Sequence, residues 1–189
     1  MVEAKVAEQL QVSRGTVREA FKLLRAEGLV QEVLRRGTFV VSLSGRDARE
    51  IYGLRAAIEG RAAYDIAMRA SEREVAELEA LCSEMENAEV AHDAAGVYAG
   101  DLAFHDALCR LSGNVRLHEV FLRYVSALRA LLQLDKRIYG QLENVVGGHR
   151  RLVEAIRSGD ADRARTLAER HCDEAGRHAS DYLISLEES

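Results

Sequence analysis

Apolar residues recur at three- and four-residue steps along most of this chain, with short polar gaps between the runs. That spacing lays apolar side chains on one face of a helix. In the stretch KVAEQLQVSRGTVREAFKLLRAEGL, Lys5 to Leu29, one stripe is Val6, Ala7 and Leu10, and a second is Val17, Ala20, Phe21 and Leu24. Gln11-Val12 break the first pattern. Ser13 can cap the second helix through its hydroxyl, and Gly28 is placed to end it. Two short β-prone runs follow, residues 29–34 and 38–43, around Arg35-Arg36-Gly37. They predict a hairpin with a basic tip, the wing of a winged helix.

Arg14, Thr16 and Arg18 fall off the buried face, in the first turn and a half of the second helix. A short helix, a turn and a second helix with basic and hydroxyl residues at its start make the helix-turn-helix pattern. Such a helix could enter a DNA major groove and set guanidinium forks on guanine edges or phosphates. A plain helical hairpin with solvated arginines would show the same periodicity; the wing that follows favours the DNA reader.

From Asp47 on, the helical period holds and no strand pattern returns. Six amphipathic helices are predicted, over about residues 47–69, from 71, 93–111, 115–138, 142–156 and 160–186. Ser71 and Glu74 have the spacing of a capping box. Short loops imply antiparallel neighbours, hence an all-α bundle. The fold class is therefore mainly α. A winged helix-turn-helix occupies residues 1–44, a linker 45–50, and an antiparallel helical bundle 51–189.

Composition sharpens this picture. The chain has 189 residues, 48% of them apolar, and no proline. A proline-free chain of that length fits mostly uninterrupted helix. Cys82, Cys109 and Cys172 are scattered and odd in number, which suggests a reducing cytoplasm rather than a disulfide framework. No apolar run approaches a membrane span and no signal peptide is visible. Net charge is −5, which argues against a general nucleic-acid binder, but the charge is uneven. Residues 1–46 carry eight Lys/Arg against five Glu, a net of +3, which leaves −8 for the rest. A basic reader joined to an acidic partner domain fits that split.

The candidate chemistry lies in the bundle. Asp101 and His105 are four apart and share one helix face. His149 lies on the fifth bundle helix beside Leu152, Val153 and Ile156, and His171 lies on the sixth, four after Leu167. One carboxylate and three imidazoles could converge in the core and suit a borderline divalent ion: zinc first, with nickel, manganese or iron as alternatives. Against this, a histidine on a buried face is more often a hydrogen-bonded core residue than a ligand. His92 and His118 look like loop and capping residues, and His178 shares the face of His171.

The stretch VSRGTVREAFKLLRAEGLVQEVLRRGTFV resembles the DNA-binding domain of the GntR family of bacterial transcription regulators. That family's domain normally begins with a further helix, and here Met1 falls at or just before the second, so the winged helix is expected to be incomplete at its N-terminus. LRAAIEGRAAYDIA, DLAFHDALCRLSGN and HRRLVEAIRSGDADRARTLAERH resemble the FCD effector domain that marks the FadR subfamily. The resemblance implies a cytoplasmic homodimer that binds a double-stranded operator and responds to a small organic acid held at a metal. It implies DNA contacts from Arg14, Thr16, Arg18 and Gly37, and metal ligation by Asp101, His105, His149 and His171. Arg55 is the candidate for a second contact to the effector carboxylate, since a guanidinium fork suits that anion; a salt bridge with Glu59 is the other reading of it. Two alternatives stand beside the regulator. One is a metal-dependent enzyme using the Asp/His₃ site, although no Glu or His next to the ligand motif offers an obvious general base. The other is an effector-binding dimer that has lost DNA binding.

Overall fold

The Thr16 backbone N–H donates to Ser13 Oγ at 3.0 Å, the N-cap that the sequence predicts. The computed structural model describes residues 3–26, 29–34, 36–41, 43–69, 71–132 and 145–187. Helix α1 spans Glu3–Leu10 and α2 spans Arg14–Ala26, with Gln11 at a φ of 54° in the turn between them. Their seam is small: Ala7, Val17 and Phe21 are buried, with Val6 and Leu24 packed against them. Leu10 and Ala20, predicted on the buried stripes, are exposed. Two short helices meet along a single line, so apolar residues at the margins of each stripe stay in solvent.

Strands β1, Val30–Val33, and β2, Gly37–Val40, pair antiparallel with Val30 opposite Val40 and Val33 opposite Gly37. Gly37 turns the chain at a φ of 98°, a conformation open to glycine because it lacks a Cβ. Gly28 and Arg35, predicted as helix stop and wing tip, lie outside the described residues.

Residues 45–50 are not a linker. They are the first turns of α3, Gly45–Ala67. Ser44 Oγ accepts from the Asp47 backbone N–H at 3.2 Å, and Asp47 Oδ2 accepts from the Ser44 backbone N–H at 2.9 Å. This is a capping box with Asp in the place where Glu or Gln is usual, so it starts the helix earlier than the apolar pattern does. The reverse holds at Ser71, which makes no side-chain capping bond. Arg69 Nη2 donates to Glu74 Oε1 at 3.3 Å instead.

The bundle continues with α4 (Glu72–Val90), α5 (Ala94–Leu111), α6 (Val115–Leu132), α7 (Val145–Arg157) and α8 (Ala161–Glu187). The predicted end of the fourth bundle helix and start of the fifth lie outside the described residues. Helices α3 and α8 run antiparallel, with Gly45 against Ser180 and Ile184, and Gly60 against Arg165 and Glu169. Helix α5 packs on α3 and α4, and α7 packs on α3, α4 and α8. Ile66, Leu78, Met85, Phe104, Leu108, Phe121 and Ile156 fill the interior. Arg55, Glu59, Asp101, His105 and His149 are buried with them. Among the described residues no helix is long and apolar enough to cross a membrane.

Candidate metal centre

Three helices bring four donors together. Asp101 and His105 come from consecutive turns of α5, His149 from α7 and His171 from α8. One donor atom from each lies within 4.8 Å of every other. Nε2 of His105 is 3.5 Å from Asp101 Oδ1, 3.4 Å from His149 Nε2 and 3.2 Å from His171 Nε2. His149 Nε2 is 3.3 Å from Asp101 Oδ1. An ion with bonds of ~2.0–2.1 Å to tetrahedral donors spaces them about 3.3–3.4 Å apart. The four spacings of 3.2–3.5 Å and the N₃O donor set fit a divalent ion, which would draw the more widely spaced donors inward. Phe104 walls the site, edge-on to His149 at 4.5 Å between ring centroids. A Cβ on Gly148 would stand 3.2 Å from His171 Nδ1, so a glycine there keeps α7 close to that ring.

Glu59 and Arg55 of α3 reach the same cluster. Arg55 Nε donates to Glu59 Oε1 at 2.6 Å, so the expected salt bridge is formed. Arg55 Nη2 is nevertheless buried with no hydrogen-bond partner, and the guanidinium sits 4.9 Å from the Tyr52 ring centroid. Glu59 Oε2 is 2.5 Å from His105 Nδ1, an ion-pair contact approached too obliquely to count as a well-aligned hydrogen bond. Cys172 Sγ donates to the same oxygen at 3.4 Å.

Burial opposes charge throughout this cluster. At Asp101 the imidazoles of His105 and His149 overcome it and hold the carboxyl well below its usual range. At Glu59 burial is outweighed by Arg55 and then His105, which bring the carboxyl down to about 2. Burial, reinforced by the neighbouring His149 and His105, lowers His171 to about 3. Two carboxylates face the Arg55 guanidinium and His105, whose pKa Glu59 and Asp101 raise against its burial; a divalent ion in the cluster would take over the balancing charge from that imidazolium. A neutral His171 and an ionised Asp101 are the protonation states that metal ligation requires.

Family comparison decides what kind of protein carries this centre. Residues 50–174 match the FCD domain, and residues 1–40 match bacterial regulatory proteins of the gntR family. The chain belongs to the GntR family. It is similar to an uncharacterized HTH-type transcriptional regulator of Streptomyces ambofaciens, 31% identical over 89% of this chain and 71% of that protein. It is also similar to the gluconate operon transcriptional repressor of Bacillus licheniformis, 24% identical over 85% of this chain and 68% of the relative. Escherichia coli McbR/YncC shares the fold, with a TM-score of 0.72 at 19% identity, over 99% of this chain and 87% of that one. A GntR chain with an FCD domain is a transcription regulator, and the enzyme alternative falls with that assignment.

In this GntR chain the residues expected to meet DNA are placed as follows. Arg14, Thr16 and Arg18 are exposed on α2, and Gly37 opens β2 at the wing. Thr16 Oγ1 lies 2.9 Å from Ser13 Oγ. Arg18 Nη2 donates to Glu3 Oε2 at 3.0 Å, an exposed pair of the kind a competing phosphate can displace. His118 Nε2 lies 2.8 Å from Asp106 Oδ1, while His92 and His178 are exposed. Sequence reasoning weighed Glu59 only as a partner for Arg55 and passed over Cys172. The adjacency of Cys172 to His171 and the four-residue step from Arg55 to Glu59 were the available signals.

Proposed function

We propose that this regulator is a metal-dependent sensor of a small organic acid and works as a cytoplasmic homodimer on double-stranded operator DNA. The carrying observation is the convergence of four donors within 4.8 Å of one another in the bundle core. Asp101, His105, His149 and His171 hold the metal, for which zinc suits the donor set. A divalent ion there would supply positive charge and, where it accepts a fifth or sixth ligand, a position for a carboxylate oxygen. Arg55 supplies the second contact through its buried, unpartnered Nη2, while Glu59 anchors its Nε. The effector class is supported by a relative named for the gluconate operon. Arg14, Thr16 and Arg18 on α2 and Gly37 at the wing meet the operator, and a dimer presents two such readers to two half-sites. Effector binding shifts the orientation of the readers and so the affinity for DNA.

Metal analysis of the purified protein, paired with a thermal-shift scan of organic acids, tests the sensor. The expected result is about one ion per chain and a carboxylate that raises the melting temperature only when metal is present. No metal and no acid response would reduce the four residues to core polar groups. A mobility-shift assay on the promoter upstream of its own gene tests the DNA-binding half, and no shift would favour a dimer that senses without reading.

A further inference from the structure

We propose that Glu59 is the positioning residue of the metal centre, holding His105 from behind so that Nε2 faces the other three donors. The inference rests on reading the cluster as a metal site. His105 is the hub of that cluster, since its Nε2 lies 3.2–3.5 Å from one donor atom of each of Asp101, His149 and His171. The orientation of this one ring therefore sets the geometry of the whole set. A neutral imidazole carries its proton on one nitrogen and its lone pair on the other. Glu59 Oε2 lies 2.5 Å from Nδ1, and although it sits off the N–H axis its negative charge favours the form with the proton on Nδ1 and the lone pair on Nε2.

Glu59 is itself immobilised. Its side chain is fully buried, Oε1 accepts from Arg55 Nε at 2.6 Å, and Oε2 also accepts from Cys172 Sγ at 3.4 Å. Had its task been to balance Arg55 alone, one oxygen would have sufficed. The second oxygen is instead set against the back of a ligand ring that comes from a different helix. Carboxylate, histidine and metal in series is a general arrangement for orienting a ligand ring and strengthening its basicity.

The experiment compares zinc affinity of the full chain with that of Glu59→Gln, Glu59→Leu and Leu78→Ala, by competition with a chromogenic chelator. Metal-free samples are examined in parallel by ¹⁵N NMR of the imidazole nitrogens. The expected result is a loss of roughly 10–100-fold in zinc affinity for Glu59→Leu, the usual cost of removing an outer partner. Glu59→Gln, which keeps an oxygen dipole near Nδ1 without the charge, loses less. Leu78→Ala changes zinc affinity by less than about threefold, since it truncates the buried core on α4, a helix that supplies neither a donor nor Glu59. At a pH high enough to make His105 neutral, its signals show the Nδ1–H form in the wild type and a mixture of both forms in Glu59→Leu. Should Glu59→Leu fail to fold, a weakened Glu59→Gln beside an unweakened Leu78→Ala carries the same conclusion. Equal zinc affinity in wild type and Glu59 variants would overturn this proposal alone. No zinc binding by the wild type would overturn the metal reading and this proposal with it. Equal losses in the Glu59 variants and in Leu78→Ala would make the effect one of core packing and overturn the positioning role.

Discussion

The winged helix and the helical bundle spend their polar residues in opposite ways. In the reader the core is a seam of Ala7, Val17 and Phe21, and Arg14, Thr16 and Arg18 point to solvent. In the bundle Arg55, Glu59, Asp101, His105 and His149 are buried. An exposed arginine costs the fold almost nothing and waits for a partner. A buried carboxylate is costly unless its neighbours satisfy it, so each such residue constrains several others. The reader can therefore change its contact residues freely while its small core limits its stability, whereas in the bundle the candidate site and the stability reside in the same side chains.

The largest effect should come from the seam. Phe21→Ala removes the largest side chain of a very small core, at a cost of ~3–5 kcal/mol. That is enough to melt the reader while leaving the bundle folded. Circular dichroism should show partial helix loss, operator binding should vanish and bound metal should be retained; a cooperative collapse of the whole chain would show that the two regions are not separate. Next comes the metal. With metal a thousandfold above its dissociation constant, a bound ion adds ~4 kcal/mol, on the order of 10 °C for a chain this long. His149→Ala should forfeit that shift along with the ion, while its reader still binds DNA. Unchanged metal content would refute the assignment. Arg14→Ala should cost ~1–3 kcal/mol of operator discrimination and leave melting temperature and metal content untouched; retained operator affinity would sink the reading of α2 as the recognition helix.

The same contrast explains what could be read from sequence. The Ser13 cap, the helix periods and the glycine of the wing are local, and each follows from a few adjacent residues. Helix α3 begins at Gly45 rather than at the expected Asp47 because the Ser44–Asp47 box starts it ahead of the apolar run, and Leu10 is exposed because periodicity reports a stripe but not its width. Asp101, His105, His149 and His171 could each be put on a buried helix face, but that they would meet came from resemblance and not from spacing. The second contact of Glu59 was illegible: it depends on α3 packing against α5 at one register, and no four-residue pattern encodes that.

The smallest effect is one of pH, and it separates the two regions without changing a contact residue. In metal-free protein His171 is lowered from an ordinary 6.5 to about 3, by burial first and by His149 and His105 next. As pH falls through 6.5 the unfolded chain takes up a proton there that the folded chain refuses, so stability falls by at most ~1.4 kcal/mol per pH unit. Glu59 and Asp101, also lowered, contribute a loss of the same sign, but only below about their ordinary values of 4.5 and 3.8. His105 is raised despite its burial, because Glu59 and Asp101 face it; its stabilisation is present below 6.5 and is lost as pH rises above that value. Between pH 4.5 and 6.5 the slope therefore belongs to His171 among these groups. Thermal melts of chelator-treated protein should lose stability steadily across that window, and His171→Gln should flatten the limb. The reader has no buried titratable side chain among its described residues, so its own melting should not follow that slope. A slope that survives in His171→Gln would mean that the acid sensitivity does not come from the buried cluster.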